Sequence, residues 1–340
     1  MAPALPTTMR ASRFSDTTGG LEKNLKLEDA PLPKDASTLP DGATLVKVEY
    51  ASPNPVDYKM PELWLYRRLA MTLPAIPCGD YAGTVVVSKL AHLKPGDRVF
   101  GRSDPPASGS FAEYLVVLSN EGVVPLPDGV SMRDAATLGV AGITAYQCLA
   151  PYVKPGSKVL INGGSGGCGT FGIQIAKVLG CTVTTACSWP NVQLCKDLEA
   201  DEVIDYRTTN PVELLKRNGT QFDHIVDMVG LPALYYNAHH YLKDEGVFIL
   251  IAGAPTLSST MDLLQMFCLP SWLGGGRRAL KFHGRKNNAK EYATIAGWMK
   301  EGKVKAVVEK EYALEEAPDA FRSFKTGRTR GKLVVKVAAG

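Results

Sequence analysis

Apolar and polar positions give the chain two textures. In ATLVKVEYAS, Val46, Val48 and Tyr50 fall on one face and Lys47 and Glu49 on the other, the period of a half-buried strand. YAGTVVVS, DRVFG and FAEYLVV continue as short strands parted by turn sequences such as LKPGD. Short strands with turn residues between them predict a compact, barrel-like β domain. From about residue 130 the pattern changes. SMRDAATLGVAGITAYQCLAPYV predicts one helix, opened by Ser131 and Asp134. The β-branched runs KVLING, TVTTAC, EVIDY, HIVDMV and VFILIAG follow, alternating with helical segments. Strands apolar on both faces and separated by helices predict a doubly wound α/β fold with a parallel sheet. KEYATIAGWMKEGK and APDAFRSFKTG read as further helices and GKLVVKV as a strand that can join either domain.

KVLINGGSGGCGTFGIQIAKVLG carries the most specific signal: a strand, then Gly164-x-Gly166-x-x-Gly169, then an apolar-periodic helix. In that setting Gly164 serves the tight turn, Gly166 lets the backbone approach a diphosphate, and Gly169 lets the helix pack on the strand. The helix N-terminus then offers N–H groups and partial positive charge to the anion. Ser165, Gly167 and Cys168 complete the candidate loop. An NAD site places Asp or Glu at the end of the next strand, about 20 residues on. Here that zone is Ser188-Trp189-Pro190-Asn191. A serine hydroxyl can donate to a 2′-phosphate where a carboxylate would repel it, and Tyr206 and Arg207 follow the next strand. NADPH is therefore the expected cofactor. Ser188 also suits the N-cap of the helix after it.

Composition narrows the setting. A chain of 340 residues exceeds what one core usually fills, so two domains are expected. The net charge of +4 is small and spread out, which speaks against nucleic acid. The seven cysteines form no CxxC pair and several lie in apolar runs, as reduced thiols of a cytoplasmic protein do. The N-terminus has no secretory apolar core, and no apolar stretch reaches the roughly 18 residues of an integral membrane segment. His239 and His240, adjacent on an expected helix, should point about 100° apart and share no metal face.

The motifs Asn54-Pro55-Val56-Asp57-Tyr58-Lys59, PCGDYAGTVV, PGDRVFG, GSFAEY, LGVAGITAYQCL, the glycine loop, CSWPNVQLCKDLEADEVIDY, FDHIVDMVG and GKLVVKV occur in one order. Together they resemble the medium-chain dehydrogenase/reductase superfamily, in its zinc-free quinone oxidoreductase branch. Plant envelope-type quinone reductases and fungal trans-acting enoyl reductases look most similar. The resemblance implies a GroES-like catalytic domain over 1–130 and 285–340, a Rossmann domain over 131–284, and an active site in the cleft. It also implies that Asn54 and Thr144 lie near the nicotinamide, that Val229–Gly230 and Ala252–Gly253 line the cofactor trough, and that Lys332 helps close the site. Relatives are homodimers or monomers, and both stay open here.

Zinc-dependent relatives carry a catalytic Cys, a His-Glu pair and a second Cys. Here the first position falls in ASPNPVDYK, the pair is replaced by Gly79-Asp80, and no cysteine lies between residues 79 and 147. Neither a catalytic nor a structural zinc set is present, so no metal is expected. Relatives also carry Thr-Lys or Thr-Arg after Ser188, where this chain has Trp189-Pro190; Arg207 is the candidate replacement cation. Without a Lewis acid, reduction of an enone, enal or quinone is easier than alcohol oxidation. Hydride goes to the β-carbon and the carbonyl oxygen gains charge that a donor must stabilise. Lys59 is the candidate donor, and Tyr58 a second donor or proton shuttle. Two other readings remain: an enoyl-thioester reductase acting on a carrier-bound substrate, and a non-catalytic NADPH-binding sensor.

Overall fold

A computed structural model describes residues 5–33, 38–105, 109–251 and 257–338. The chain divides into two compact units, 1–143 with 286–340, and 144–285. In chain order the first unit contributes β1 (Thr8–Arg13), β2 (Lys26–Pro31), β3 (Thr44–Ala51), β4 (Asp80–Ser88), β5 (Arg98–Arg102), β6 (Tyr114–Val117) and β7 (Val123–Pro125). The second contributes β8 (Lys158–Asn162), β9 (Thr182–Cys187), β10 (Glu202–Asp205), β11 (Phe222–Asp227), β12 (Leu242–Leu250) and β13 (Ala279–Phe282). The first then resumes with β14 (Val308–Ala313) and β15 (Lys332–Lys336). GKLVVKV thus returns to the first unit.

In the first unit the order β14-β15-β3-β4-β5-β7 forms one sheet, with β6 on β3, beside a β1–β2 hairpin. The alternation in β3 turns Val46 and Val48 into a core with Tyr81, Phe111 and Phe321, all at or below 1% exposure. In the second unit the order is β10-β9-β8-β11-β12-β13, every pairing parallel. Chain order reverses between β8 and β11. The carboxyl ends of strands at such a reversal form the usual ligand crevice of a doubly wound sheet. This GroES-like and Rossmann pair is the expected fold class.

The single helix expected from residue 131 is instead three pieces: Met132–Ala135, a π-helical turn Leu138–Gly142, and Ile143–Leu149. A Cβ on Gly139 would lie 2.4 Å from the Asp80 carboxyl carbon. The glycine admits Asp80, which accepts from the Val140 amide at 2.9 Å. A π-turn often marks such an intrusion. His239 and His240 also differ from expectation: they sit in a 3₁₀ turn, and their rings lie 4.0 Å apart rather than diverging.

Candidate functional site

In the second unit the glycine loop joins β8 to the helix Gly167–Val178. The left-handed turn residue is Gly163, with φ of 94°, not Gly164 as the motif suggested. Gly164 is required for another reason: its Cβ would lie 2.0 Å from Thr185 Oγ1 on β9. A Cβ on Gly169 would meet the Gly163 carbonyl at 2.1 Å, so here glycine permits helix-on-loop packing. Gly166 differs from both. Its Cβ would find nothing closer than the Gly163 carbonyl at 3.5 Å. Protein packing therefore leaves the Gly166 position free, as a loop that admits a diphosphate requires. No side chain caps the first turn of the helix, and no acidic residue lies in it.

At the end of β9 the expected nucleotide residues come together. Asn191 Nδ2 lies 3.2 Å from both Ser165 Oγ and Ser188 Oγ. Asn191 Oδ1 is buried without a partner among the described residues. Tyr206 donates its amide to the Cys187 carbonyl at 3.1 Å, which places it next to Ser188. Arg207 is exposed and its side chain has no ion-pair partner among the described residues. Ser188 precedes a 3₁₀ turn, Trp189–Asn191, but its side chain makes no cap bond. The donor set fits a nucleotide: hydroxyls, an amide and a cation with an orphan acceptor for a ribose hydroxyl.

Sequence reasoning missed the residue that shapes the other side of the loop. Asp227, fully buried at the end of β11, accepts from the amides of Val229, Gly230 and Leu231 at 3.0, 3.0 and 2.7 Å. It also accepts from Asn162 Nδ2 at 2.8 Å, tying this turn to the end of β8. A Cβ on Gly163 would stand 2.9 Å from Val229 Cγ2, so Val229 covers the glycine turn. A carboxylate ending an otherwise apolar strand, as in HIVDMV, was the available signal. Thr144 is buried in the Ile143–Leu149 helix. Ala252 and Gly253 lie outside the described residues.

In the first unit Asn54 and Lys332 are buried at 2% and 1% exposure. Lys332 Nζ donates to Asn54 Oδ1 at 2.5 Å and to the Pro53 carbonyl at 3.1 Å. Asn54 Nδ2 donates to Asp80 Oδ2 at 2.8 Å and the Ser52 carbonyl at 3.1 Å. The Arg102 guanidinium reaches Asp80 Oδ1 at 2.6 Å and Asp57 Oδ1 at 3.3 Å. Burial opposes the Arg102 charge, but Asp57 and Asp80 outweigh it and hold its pKa above the usual value. Burial pushes the Asp57 carboxyl up, although Arg102 opposes the shift. Two carboxylates and two cations thus balance inside the network, the condition for keeping charges buried.

The Asn54 carboxamide is fully engaged inside the unit. The Lys332 ammonium is likewise enclosed by Asn54, Pro53 and, at 3.9 Å, Asp80. Both hold the helix Pro55–Glu62, whose N-terminal turn is closed by Asp57 accepting from the Asn54 amide at 2.8 Å. No role was expected of Asp80, Asp57 or Arg102, because ion pairs that join β4, β5 and the Pro55–Glu62 helix have no sequence spacing to betray them.

The helix carries the two candidate donors. Tyr58 packs edge-on against Phe321 and Phe324, with Lys325 5.2 Å over its ring, and burial raises its hydroxyl pKa. Lys59 is half-buried with no ion pair among the described residues, and burial lowers its ammonium pKa. A desolvated, unpaired ammonium is what a developing oxyanion requires. Among the described residues no three His, Cys, Asp or Glu side chains gather into a metal-ligating group. None of the described helices is long and apolar enough to cross a membrane.

Comparison with known proteins places the chain in a family. Residues 40–128 match the family described as alcohol dehydrogenase GroES-like domain, and residues 198–335 match zinc-binding dehydrogenase. A trans-enoyl reductase of Aspergillus terreus is 41% identical over 99% of this chain and 98% of its own length. A chloroplastic quinone oxidoreductase of Triphysaria versicolor is 30% identical over 96% and 98%. The solved quinone oxidoreductase of Coxiella burnetii superposes with a TM-score of 0.83 at 29% identity, covering 97% of this chain and all of its own. The chain belongs to the medium-chain dehydrogenase/reductase superfamily, in its quinone-oxidoreductase-like branch, and is an NAD(P)(H)-dependent oxidoreductase.

Proposed function

We propose that the protein is an NADPH-dependent reductase of carbon–carbon double bonds conjugated to a carbonyl, with quinones as further acceptors. The observation that carries the nucleotide half is the cluster of Ser165, Ser188 and Asn191 at the end of β9, without a carboxylate. Ser188 and Arg207 would hold the 2′-phosphate, and Asn191 Oδ1 would accept from a ribose hydroxyl. The amides of the Gly166–Gly169 turn would hold the diphosphate. Bound NADPH supplies the hydride. Lys59 would donate to the acceptor's carbonyl oxygen as negative charge develops there, and Tyr58 is the second donor. Asn54, Asp57 and Asp80 fix the helix that presents Lys59, so the donor arrives preorganised.

The identity to a trans-enoyl reductase over nearly the whole chain favours an enoyl thioester among these acceptors. The deciding experiment is NADPH oxidation with enones, quinones and enoyl thioesters, each compared with NADH. Turnover of enones or quinones, or of the thioesters alone, supports the reading and identifies the acceptor. Tight NADPH binding with no turnover on any acceptor would leave a non-catalytic sensor instead.

A further inference from the structure

The helix Trp64–Ala70 follows directly on the Lys59 helix, and none of its seven residues is buried. Trp64, Leu65 and Leu69 are 61%, 59% and 75% exposed, and Leu73 beyond it is 37% exposed. Isolated exposed leucines are ordinary; three large apolar side chains on two helical turns form a patch. Its charge is one-sided. The helix holds Arg67 and Arg68 and no acid. The nearby carboxylates are already paired, Asp16 with Arg67 at 3.4 Å and Glu62 with Lys325 at 2.5 Å. Arg68 has no ion pair among the described residues and lies 5.7 Å from the Trp64 ring. A tryptophan beside an unpaired arginine on an apolar surface suits the boundary between acyl chains and headgroups, where the indole and guanidinium find polar partners.

We propose that this face docks on an anionic phospholipid bilayer, with Trp64, Leu65 and Leu69 entering the acyl boundary and Arg68 meeting lipid phosphates. The surface commits to a bilayer rather than to a second copy because the arginine has no counter-charge on the same helix, so two identical faces would set like charges together. The proposal stands on this surface alone and does not depend on the reaction assigned above.

The test is co-sedimentation of the full chain with phosphatidylcholine vesicles, with and without phosphatidylserine. Binding to the mixed vesicles, weaker on neutral ones and reduced by salt, is expected. The Trp64→Ser/Leu69→Ser variant should lose at least about fivefold of the bound fraction. Arg68→Glu should lose binding to the anionic vesicles and keeps the test open if the double variant does not fold. An unchanged melting temperature shows that these exposed substitutions leave the fold intact. Failure of the wild type to pellet with anionic vesicles overturns the proposal. So does equal binding by both variants, or a size-exclusion shift in the double variant without any vesicle effect, which would assign the face to a second copy.

Discussion

At the scale of single residues, the sharpest contrast lies between Lys59 and the ionised groups near it. Lys332 and Arg102 are held by carboxylate or amide partners, whereas Lys59 has none among the described residues. Lys59→Met should lower kcat on an enone or enoyl thioester by about 10- to 100-fold while NADPH affinity, read by fluorescence, stays unchanged. Undiminished kcat would remove it from the chemistry. Arg207→Ala should raise the NADPH dissociation constant by about tenfold and leave NADH untouched. Equal loss for both nucleotides would place Arg207 elsewhere. His224 gives a pH prediction. Burial holds its pKa down to about 4 against an ordinary 6.5, and its Nε2 pairs with the Cys148 carbonyl at 2.7 Å. Between those values the unfolded chain binds a proton that the folded chain refuses. The group's contribution is therefore complete above pH 6.5 and is lost as pH falls towards 4, about 3 kcal/mol in all. Urea titrations at several pH values should show this slope in the wild type and a flatter one in His224→Leu.

At the scale of elements, the glycine loop separates folding from binding. Gly169→Ala has no room against the Gly163 carbonyl and should lower the melting temperature or prevent folding. Gly166→Ala meets only the Gly163 carbonyl, at an ordinary contact distance of 3.5 Å, and should fold like the wild type. It should nevertheless bind NADPH at least about tenfold more weakly, because the added methyl occupies the approach to the diphosphate. A Gly166→Ala protein with full nucleotide affinity would argue against the loop's assignment. Much of this element was legible: strand, three spaced glycines and apolar helix are local signals. So were β3 from its alternation and the buried strands from their β-branched runs. What could not be read was set by long-range contacts. The π-turn at Leu138–Gly142 exists because Asp80 reaches the Val140 amide, 60 residues away in sequence. Asp227 orders its own turn, but only pairing of β11 with β8 brings Asn162 to it. The motif located the tight turn one residue late because Gly163 also precedes it, and two adjacent glycines do not say which takes positive φ.

At the scale of the whole molecule, each unit carries a cluster of exposed apolar side chains, that of the first unit being Trp64, Leu65 and Leu69. On the second unit, Leu263, Leu264, Phe267 and Phe282 line a groove of about 290 Å³ beside β13. β13 is an edge strand, so its outer backbone groups are unpaired within the sheet. We expect this edge to pair with a second copy. Light scattering should give twice the 36.5 kDa chain mass and revert to the single mass in Phe267→Glu. A wild-type monomer at micromolar concentration would dismiss the idea. The division of the first unit has a different consequence. β15 lies between β14 and β3 and carries Lys332, whose ammonium completes the Asn54 network. A ribosome making this chain therefore releases the whole 144–285 unit before it supplies the strand that β3 awaits. The nascent first unit must wait with an open edge while the second is free to fold, an interval in which a chaperone would have the most to protect.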